Sequence, residues 1–397
     1  MPNQPRGVCL ISSSYPSPTS PTRGAFVEDI ALGLAESTPV RVVAPRIYPD
    51  DPCREERHGL AVTRFSFGAS GRLLKEYGGT PITLMIRYMI AGFLSARREA
   101  LKSRVIFAHW VVPAGVIGAA VSWTTGRPLV LYGHGSDICV YAEKSPMYRI
   151  LTRFALSRAR HVFAASRDLE KRLVERLGVK PEAVSMVPCG VDTGTFYPSG
   201  AAPETAAPVR FLFVGDMVPA KGVQELMTAA LALHEQGIGF SLDMVGDGPL
   251  RNTLSEQVER ASAGSSIHLH GPLPRDEVAR RMRQSDCLVL PSHNEGTPVC
   301  IMEALTCALP VVATRVGGIP DLIDDGGNGL LIPPRDVTAL ADALRRVAQD
   351  TDTRSRLRQG AGATGDKFSL ESRRRDIGGL FERLVPEAMD PDPSGHP

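Results

Sequence analysis

The 397 residues exceed what one hydrophobic core usually organises and predict two domains, while 43% hydrophobic and 22% charged residues exclude a disordered, collagen-like or disulfide-scaffold chain. Seven scattered cysteines with no closely spaced pair argue against a zinc site and for reduced thiols in a cytosol. The net charge of +2 hides an asymmetry: residues 1–200 carry 25 basic and 16 acidic side chains, hence +9, which leaves −7 for residues 201–397. A basic first half either steers toward anionic lipid or an anionic acceptor, or is ordinary solvated surface.

The opening MPNQPRGVCLISSS reads as a first strand and not as a signal peptide, because it has few apolar residues and runs straight into a loop. Strands are predicted at Val8 to Ile11, Val40 to Val43, Val105 to Ala108, Leu129 to Leu131, His161 to Ala164 and Val184 to Val187. Between them, Phe26 to Glu36, Ala114 to Trp123 and Asp168 to Leu177 carry apolar residues at helical spacing. The apolar stretches Pro81 to Leu94 and Val111 to Trp123 are too short to span a membrane, and Arg87 interrupts the first. A linker is expected at 197–209, in YPSGAAPETAAP, between a first domain at 1–196 and a second at 210–370. The second repeats the rhythm, with strands at Phe211 to Val214, Ser241 to Val245, Ile267 to Leu269, Cys287 to Leu290 and Val311 to Ala313. Its helices begin near Lys221, Arg251, Arg275 and Thr297. A final helix at 371–386, returning to the first domain, precedes a disordered Pro- and Asp-rich tail at 387–397. The fold class is α/β, two open parallel sheets.

Ligands of such sheets bind beyond the carboxyl ends of the strands, and the informative motifs sit there. PSHNEGTPVCIMEAL places Glu295 ahead of a helix expected near Thr297, and Glu303 about two turns inside it. A helix start suits a diphosphate: Thr297, Val299 and Cys300 can donate N–H groups, while Pro298 cannot. Glu303 would accept from a ribose diol and Glu295 would reach toward a sugar ring, unless both are solvated acids on a surface helix. FLFVGDMVPAKG puts Gly215 where backbone approach is easy and Lys221 at a helix start, as a clamp for a departing diphosphate or merely a solvated lysine. Gly246 and Gly248 flank Asp247 in MVGDGPL, where a plain strand-to-helix turn explains the glycines as well. LVLYGHGSDI sets His134 between two glycines after a strand, to bond a donor-sugar hydroxyl or to serve structure. His109 in FAHWVVPAG reads as structural, and Arg23 and Gly24 either approach a ligand or end a loop.

Together these segments resemble the retaining GT-B glycosyltransferase clan called group 1, or family 4, from the first strand to about Phe381. The most specific element is EGTPVCIMEALTCALPVVAT followed by VGGIPDLI, and FVGDMVPAKG, YGHGSD and VPCGVDTGTFYP add support. The resemblance implies two Rossmann-like domains facing across a cleft. It implies that Glu303 binds the nucleotide ribose, Glu295 lies near the donor sugar, Lys221 contacts the diphosphate and His134 sits beside the transferred sugar. It also implies retention of anomeric configuration, no metal or other cofactor, and deprotonation of the acceptor by the diphosphate on the same face. Two departures stand out: Asp216 where many members have Arg, and Thr297 and Pro298 where many have an aromatic and a glycine.

The function expected is hexosyl transfer from a nucleotide sugar, a UDP-sugar foremost, to a glycan or lipid-linked acceptor in cell-surface polysaccharide synthesis. The setting expected is cytoplasmic, with peripheral contact to anionic membrane at its inner face and no nucleic acid partner. A GT-B sugar-nucleotide epimerase and a non-catalytic nucleotide-sugar-binding subunit are the alternatives, the second because of Asp216. A dinucleotide oxidoreductase is disfavoured, since neither domain opens on a glycine fingerprint.

Overall fold

The structure, a computed structural model, describes residues 7–21, 23–69, 71, 81–135, 146–199 and 208–384. Two compact units form, Met1–Pro188 with Glu371–Pro397 and Cys189–Leu370. Residues 200–207 of the expected linker and the expected tail, 387–397, lie outside the described residues, as do the last three residues of YGHGSDI.

The first unit is an eight-stranded sheet of β1 (Val8–Ser12), β2 (Val40–Pro45), β3 (Arg54–Arg57), β4 (Leu60–Phe65), β5 (Val105–His109), β6 (Leu129–Gly133), β7 (Ala159–Ala164) and β8 (Val184–Met186). Their order is β3-β4-β2-β1-β5-β6-β7-β8, parallel throughout except for the antiparallel β3. Strands β1, β5 and β6 are buried at every residue, which is why they read as unbroken apolar runs and not as alternating ones. Helix α1 (Ala25–Ala35) covers one face of the sheet. The other face carries α2 (Ile82–Ala100), α3 (Val116–Thr125), α4 (Pro146–Arg158) and α5 (Arg167–Glu175).

The second unit is a six-stranded parallel sheet of β9 (Val209–Val214), β10 (Phe240–Val245), β11 (Ile267–Leu269), β12 (Cys287–Leu290), β13 (Val311–Thr314) and β14 (Gly329–Ile332), ordered β11-β10-β9-β12-β13-β14. Its helices are α6 (Val223–Glu235), α7 (Arg251–Arg260), α8 (Arg275–Gln284), α9 (Val299–Thr306), α10 (Val337–Gln349) and α11 (Thr351–Gly365). The last helix, α12 (Leu370–Leu384), belongs to the first unit from Glu371 onward. There Phe381 is fully buried and meets Phe107 edge-on, ring centres 4.9 Å apart. Burying a Phe contributes about 1.5–3 kcal/mol, and Ile377 is buried in the same cluster, so the two together anchor the helix.

In both sheets the chain builds outward in one direction and then crosses back, so the strand order reverses between β1 and β5 and again between β9 and β12. The carboxyl ends beside such a reversal form a natural crevice, because the flanking loops diverge there. The loops after β9 and β12 carry Lys221 and Glu295. The ends of β5 and β6 carry His109 and His134.

Candidate active site

In the second unit the end of β9 leads into a short 3-10 turn, Pro219–Lys221, and α6 begins only at Val223. Lys221 therefore sits in the turn and not at the helix start the sequence predicts. Its Nζ donates to Glu295 Oε1 at 2.6 Å, and Ser292 Oγ donates to the same oxygen at 2.7 Å. Burial pulls the Lys221 pKa down, but the Glu295 carboxylate, helped by Asp216, outweighs it and holds the lysine above its ordinary value. Lys221 is an ammonium at neutral pH.

Two glycines let these loops meet. Gly222 has φ +66°, and a Cβ there would collide with the Pro291 carbonyl. Gly317 has φ +53°, and a Cβ there would collide with the Glu295 carbonyl. Hydrogen bonds complete the clamp: His293 N–H to the Ala220 carbonyl at 2.9 Å, a 2.7 Å bond between His293 Nε2 and Glu225, and Gly318 N–H to the Gly296 carbonyl at 2.8 Å. Thr314 Oγ1, at the end of β13, donates to the Ser292 carbonyl at 2.5 Å and fixes the serine that holds Glu295. The ion pair is thus held from three neighbouring strand ends.

The helix after Glu295 starts later than the spacing suggests. Pro298 is the N-cap and Val299 the first residue, so Thr297 lies outside the helix and Glu303 is little more than one turn inside it. Proline before the helix restricts Thr297 to an extended backbone, which delays the start. Val299 and Cys300 occupy the first turn, whose N–H groups form the positive dipole end. Burial pushes the Cys300 thiol up to about 12, so no thiolate opposes an anion there.

Glu303 is mostly buried and stands 3.9 Å from the Arg275 guanidinium, at the start of α8. Arg275 also lies over the ring of buried Phe196, 5.3 Å from its centre. The motif GVDTGTFYP explains that seat: Asp192 accepts from Gly194 N–H and Thr195 Oγ1, closing a turn that turns Phe196 inward. Gly215 and Gly246 stand side by side at the ends of β9 and β10. Their N–H groups bond to the carbonyls of Val245 and Gly271, so neither is a donor for a ligand. Asp216 is exposed and adds a second acid to the field at Lys221.

In the first unit, β5 ends in His109 and β6 runs one residue short of His134. These strands are neighbours, and His109 Nδ1 lies 3.2 Å from His134 Nε2. The histidine the sequence treats as structural is therefore the partner of the one it singles out. His134 stacks on Tyr132, ring centres 4.5 Å apart, and packs against Phe26 and Trp110. Burial drives the His134 pKa to about 3 and, with repulsion from His134, holds His109 well below 6.5. Both rings are neutral at pH 7, so each carries one N–H donor and one acceptor nitrogen.

The sequence matches the family described as Glycosyl transferases group 1 over residues 202–363, and the Glycosyl transferase 4-like domain over residues 24–190. It is 30% identical to an uncharacterized glycosyltransferase from Methanocaldococcus jannaschii over 78% of this chain and 83% of that one. The chain belongs to the group 1 glycosyltransferases. This glycosyltransferase is also 29% identical to the putative teichuronic acid biosynthesis glycosyltransferase TuaC of Bacillus subtilis, over 86% of this chain and 89% of that one. Its fold matches the solved structure of Anabaena HepE in complex with UDP, with a TM-score of 0.76 and 20% identity over 95% of this chain and all of the other. The fold is GT-B, two parallel-sheet α/β domains, with β3 the antiparallel exception.

In this group 1 glycosyltransferase the second unit brings Lys221, Glu295, Thr297, Val299, Cys300 and Glu303 onto loops and a helix at one end of one sheet. Sequence reasoning missed Arg275, Ser292, His293 and Thr314. The only signal for Arg275 was its place at a helix start after a strand. Among the described residues no three His, Cys, Asp or Glu side chains converge as a metal-binding group, and no helix is long and apolar enough to cross a membrane.

Proposed function

We propose that the enzyme transfers a hexose from a nucleotide sugar, with retention of configuration and without a metal, to a glycan or lipid-linked acceptor in cell-surface polysaccharide synthesis. The observation that carries this is the ammonium of Lys221 held between strand ends beside the first turn of α9. That arrangement offers fixed positive charge and N–H donors where a departing diphosphate gains charge. A UDP-sugar is the first candidate donor, supported by the UDP bound in HepE. The polysaccharide assignment is supported by the relative named for teichuronic acid biosynthesis.

In this reading Glu303 accepts from the ribose hydroxyls, and Arg275 supplies the second positive charge that Asp216 does not. Glu295 releases Lys221 to the diphosphate and turns to the sugar. His134, kept neutral, donates to a sugar hydroxyl. The bond from the anomeric carbon to the diphosphate oxygen breaks, the bond to the acceptor oxygen forms, and the acceptor proton passes to the leaving diphosphate. The basic first half agrees with an acceptor carried at the inner face of an anionic membrane, the enzyme working from the cytoplasm.

The test is binding and slow hydrolysis across a panel of UDP-, GDP- and ADP-sugars with EDTA present. Release of one nucleoside diphosphate is the expected result and names the donor. Hydrolysis abolished by EDTA and restored by a divalent metal would refute metal independence, and binding without release would leave a nucleotide-sugar-binding role.

A further inference from the structure

Helix α2 approaches the sheet closely through small residues, with Tyr88 buried and Leu84, Met89 and Phe93 partly buried beside them. Gly92, Ala96 and Ala100 are buried with Tyr88, and a Cβ at Gly92 would press on Ile117 Cδ1. Four large aliphatic side chains nevertheless point away: Ile82, Ile86, Ile90 and Leu94 are 77%, 51%, 56% and 61% exposed. Spaced by four, they form one continuous row along the helix surface. An amphipathic helix serving only its own core would carry polar side chains on that outer row.

The exposed row has neighbours. Helix α3 packs beside α2, and α4 beside α3, all on the same face of the sheet. Trp123 near the end of α3 and Ile150 on α4 are each 68% exposed. Apolar exposure of this kind on adjacent elements marks an interaction surface, where isolated exposed residues would not.

Charge identifies the occupant. Within their helical bounds α2 and α4 hold six arginines and one acid, Glu99, which is buried and bound by Lys102. Arg97 and Arg98 are exposed and continue the apolar row, and Arg149 and Arg153 flank Ile150. The Arg158 guanidinium lies 5.6 Å above the Trp123 ring. A second copy would bring six arginines against six across a two-fold axis, which disfavours self-association. Aliphatic rows, flanking arginines and a surface tryptophan fit a bilayer boundary, where chains take the apolar groups and phosphates the cations.

We propose that the outer face of α2, α3 and α4 seats on an anionic lipid bilayer. Ile82, Ile86, Ile90 and Leu94 enter the boundary between headgroups and acyl chains, and the arginines contact lipid phosphates. Helix α2 lies in the membrane plane, since Arg87, Arg97 and Arg98 rule out a span. The inference deepens the lipid-side acceptor reading and rests on it only for the purpose of the docking.

The full chain is sedimented with vesicles of phosphatidylcholine alone, or of phosphatidylcholine mixed with phosphatidylglycerol, at low and high salt. The wild type sediments with the anionic vesicles and is released by salt. Ile86→Ser combined with Ile90→Ser lowers the partition by about tenfold per residue. Arg97→Glu combined with Arg98→Glu removes the preference for phosphatidylglycerol. Both variants keep wild-type melting and donor hydrolysis. A wild type that sediments with neither vesicle overturns the proposal, as does equal sedimentation of wild type and variants, or a wild-type dimer that the Ile86→Ser, Ile90→Ser variant dissociates. Vesicle binding that persists while the wild type hydrolyses no donor supports docking and removes the transferase reading instead.

Discussion

The two units hold close ionisable pairs that desolvation treats in opposite ways. In the second, Lys221 and Glu295 carry opposite charges 2.6 Å apart, and their attraction outweighs the desolvation of the lysine. In the first, His109 and His134 approach within 3.2 Å with no opposite charge to offset desolvation, and both are pushed toward neutrality. The same physics therefore keeps an ion pair charged in one unit and a pair of hydrogen-bonding rings uncharged in the other. In the proposed reaction the first would serve a leaving diphosphate and the second a sugar hydroxyl.

Breaking the charged pair has the largest expected effect. Lys221→Ala lowers turnover by about 10²-fold or more, while a melting curve close to wild type shows that the loss is chemical. Unchanged turnover would remove Lys221 from the diphosphate site. Glu303→Ala comes next: losing charge-assisted bonds to a ribose weakens nucleotide affinity by about tenfold to a hundredfold, read by calorimetry, with less effect on turnover of bound donor. Affinity equal to wild type would refute the ribose assignment.

The neutral pair predicts a smaller effect whose sign can be worked out. A histidine with a depressed folded pKa binds fewer protons folded than unfolded below 6.5, so stability falls as pH falls from 6.5 toward the folded value, about 3 for His134. His109→Phe removes one such group and flattens the loss by at most about 1.4 kcal/mol per pH unit, measured by denaturant unfolding at a series of pH values below 6.5. An unaltered slope would mean that the buried pair does not drive the acid sensitivity.

Much of the fold was legible because parallel strands are buried on both faces and announce themselves as apolar runs. The hairpin of β3 and β4 was not, since β3 is the edge strand REER, whose polar side chains carry no burial pattern. Strand β14 is only four residues, GLLI, following a glycine-rich turn. Within the candidate site, the places of Lys221 and Glu295 in loops after strands were legible, as was that of Glu303 inside the helix that follows. The start of α9 was misplaced by two residues, because the cap is set by Pro298 and not by the threonine before it.

The sequence by itself determined most of the strands, β3, β4 and β14 excepted, where those strands end, and so which side chains stand at the crevice end of each sheet. Those are local properties, carried by apolar runs and by Gly and Pro at turns. Only the tertiary structure decided which of those side chains face one another. Pairing β9 with β12 sets Lys221 on Glu295, 74 positions away, and pairing β5 with β6 sets His109 on His134. Strand order is a long-range choice made by packing the whole sheet, and no periodicity within one segment records it. The outward row on α2 has the same origin: its spacing is visible in the sequence, but the Gly and Ala face was selected by the closeness of Ile117 and Phe65 across the core.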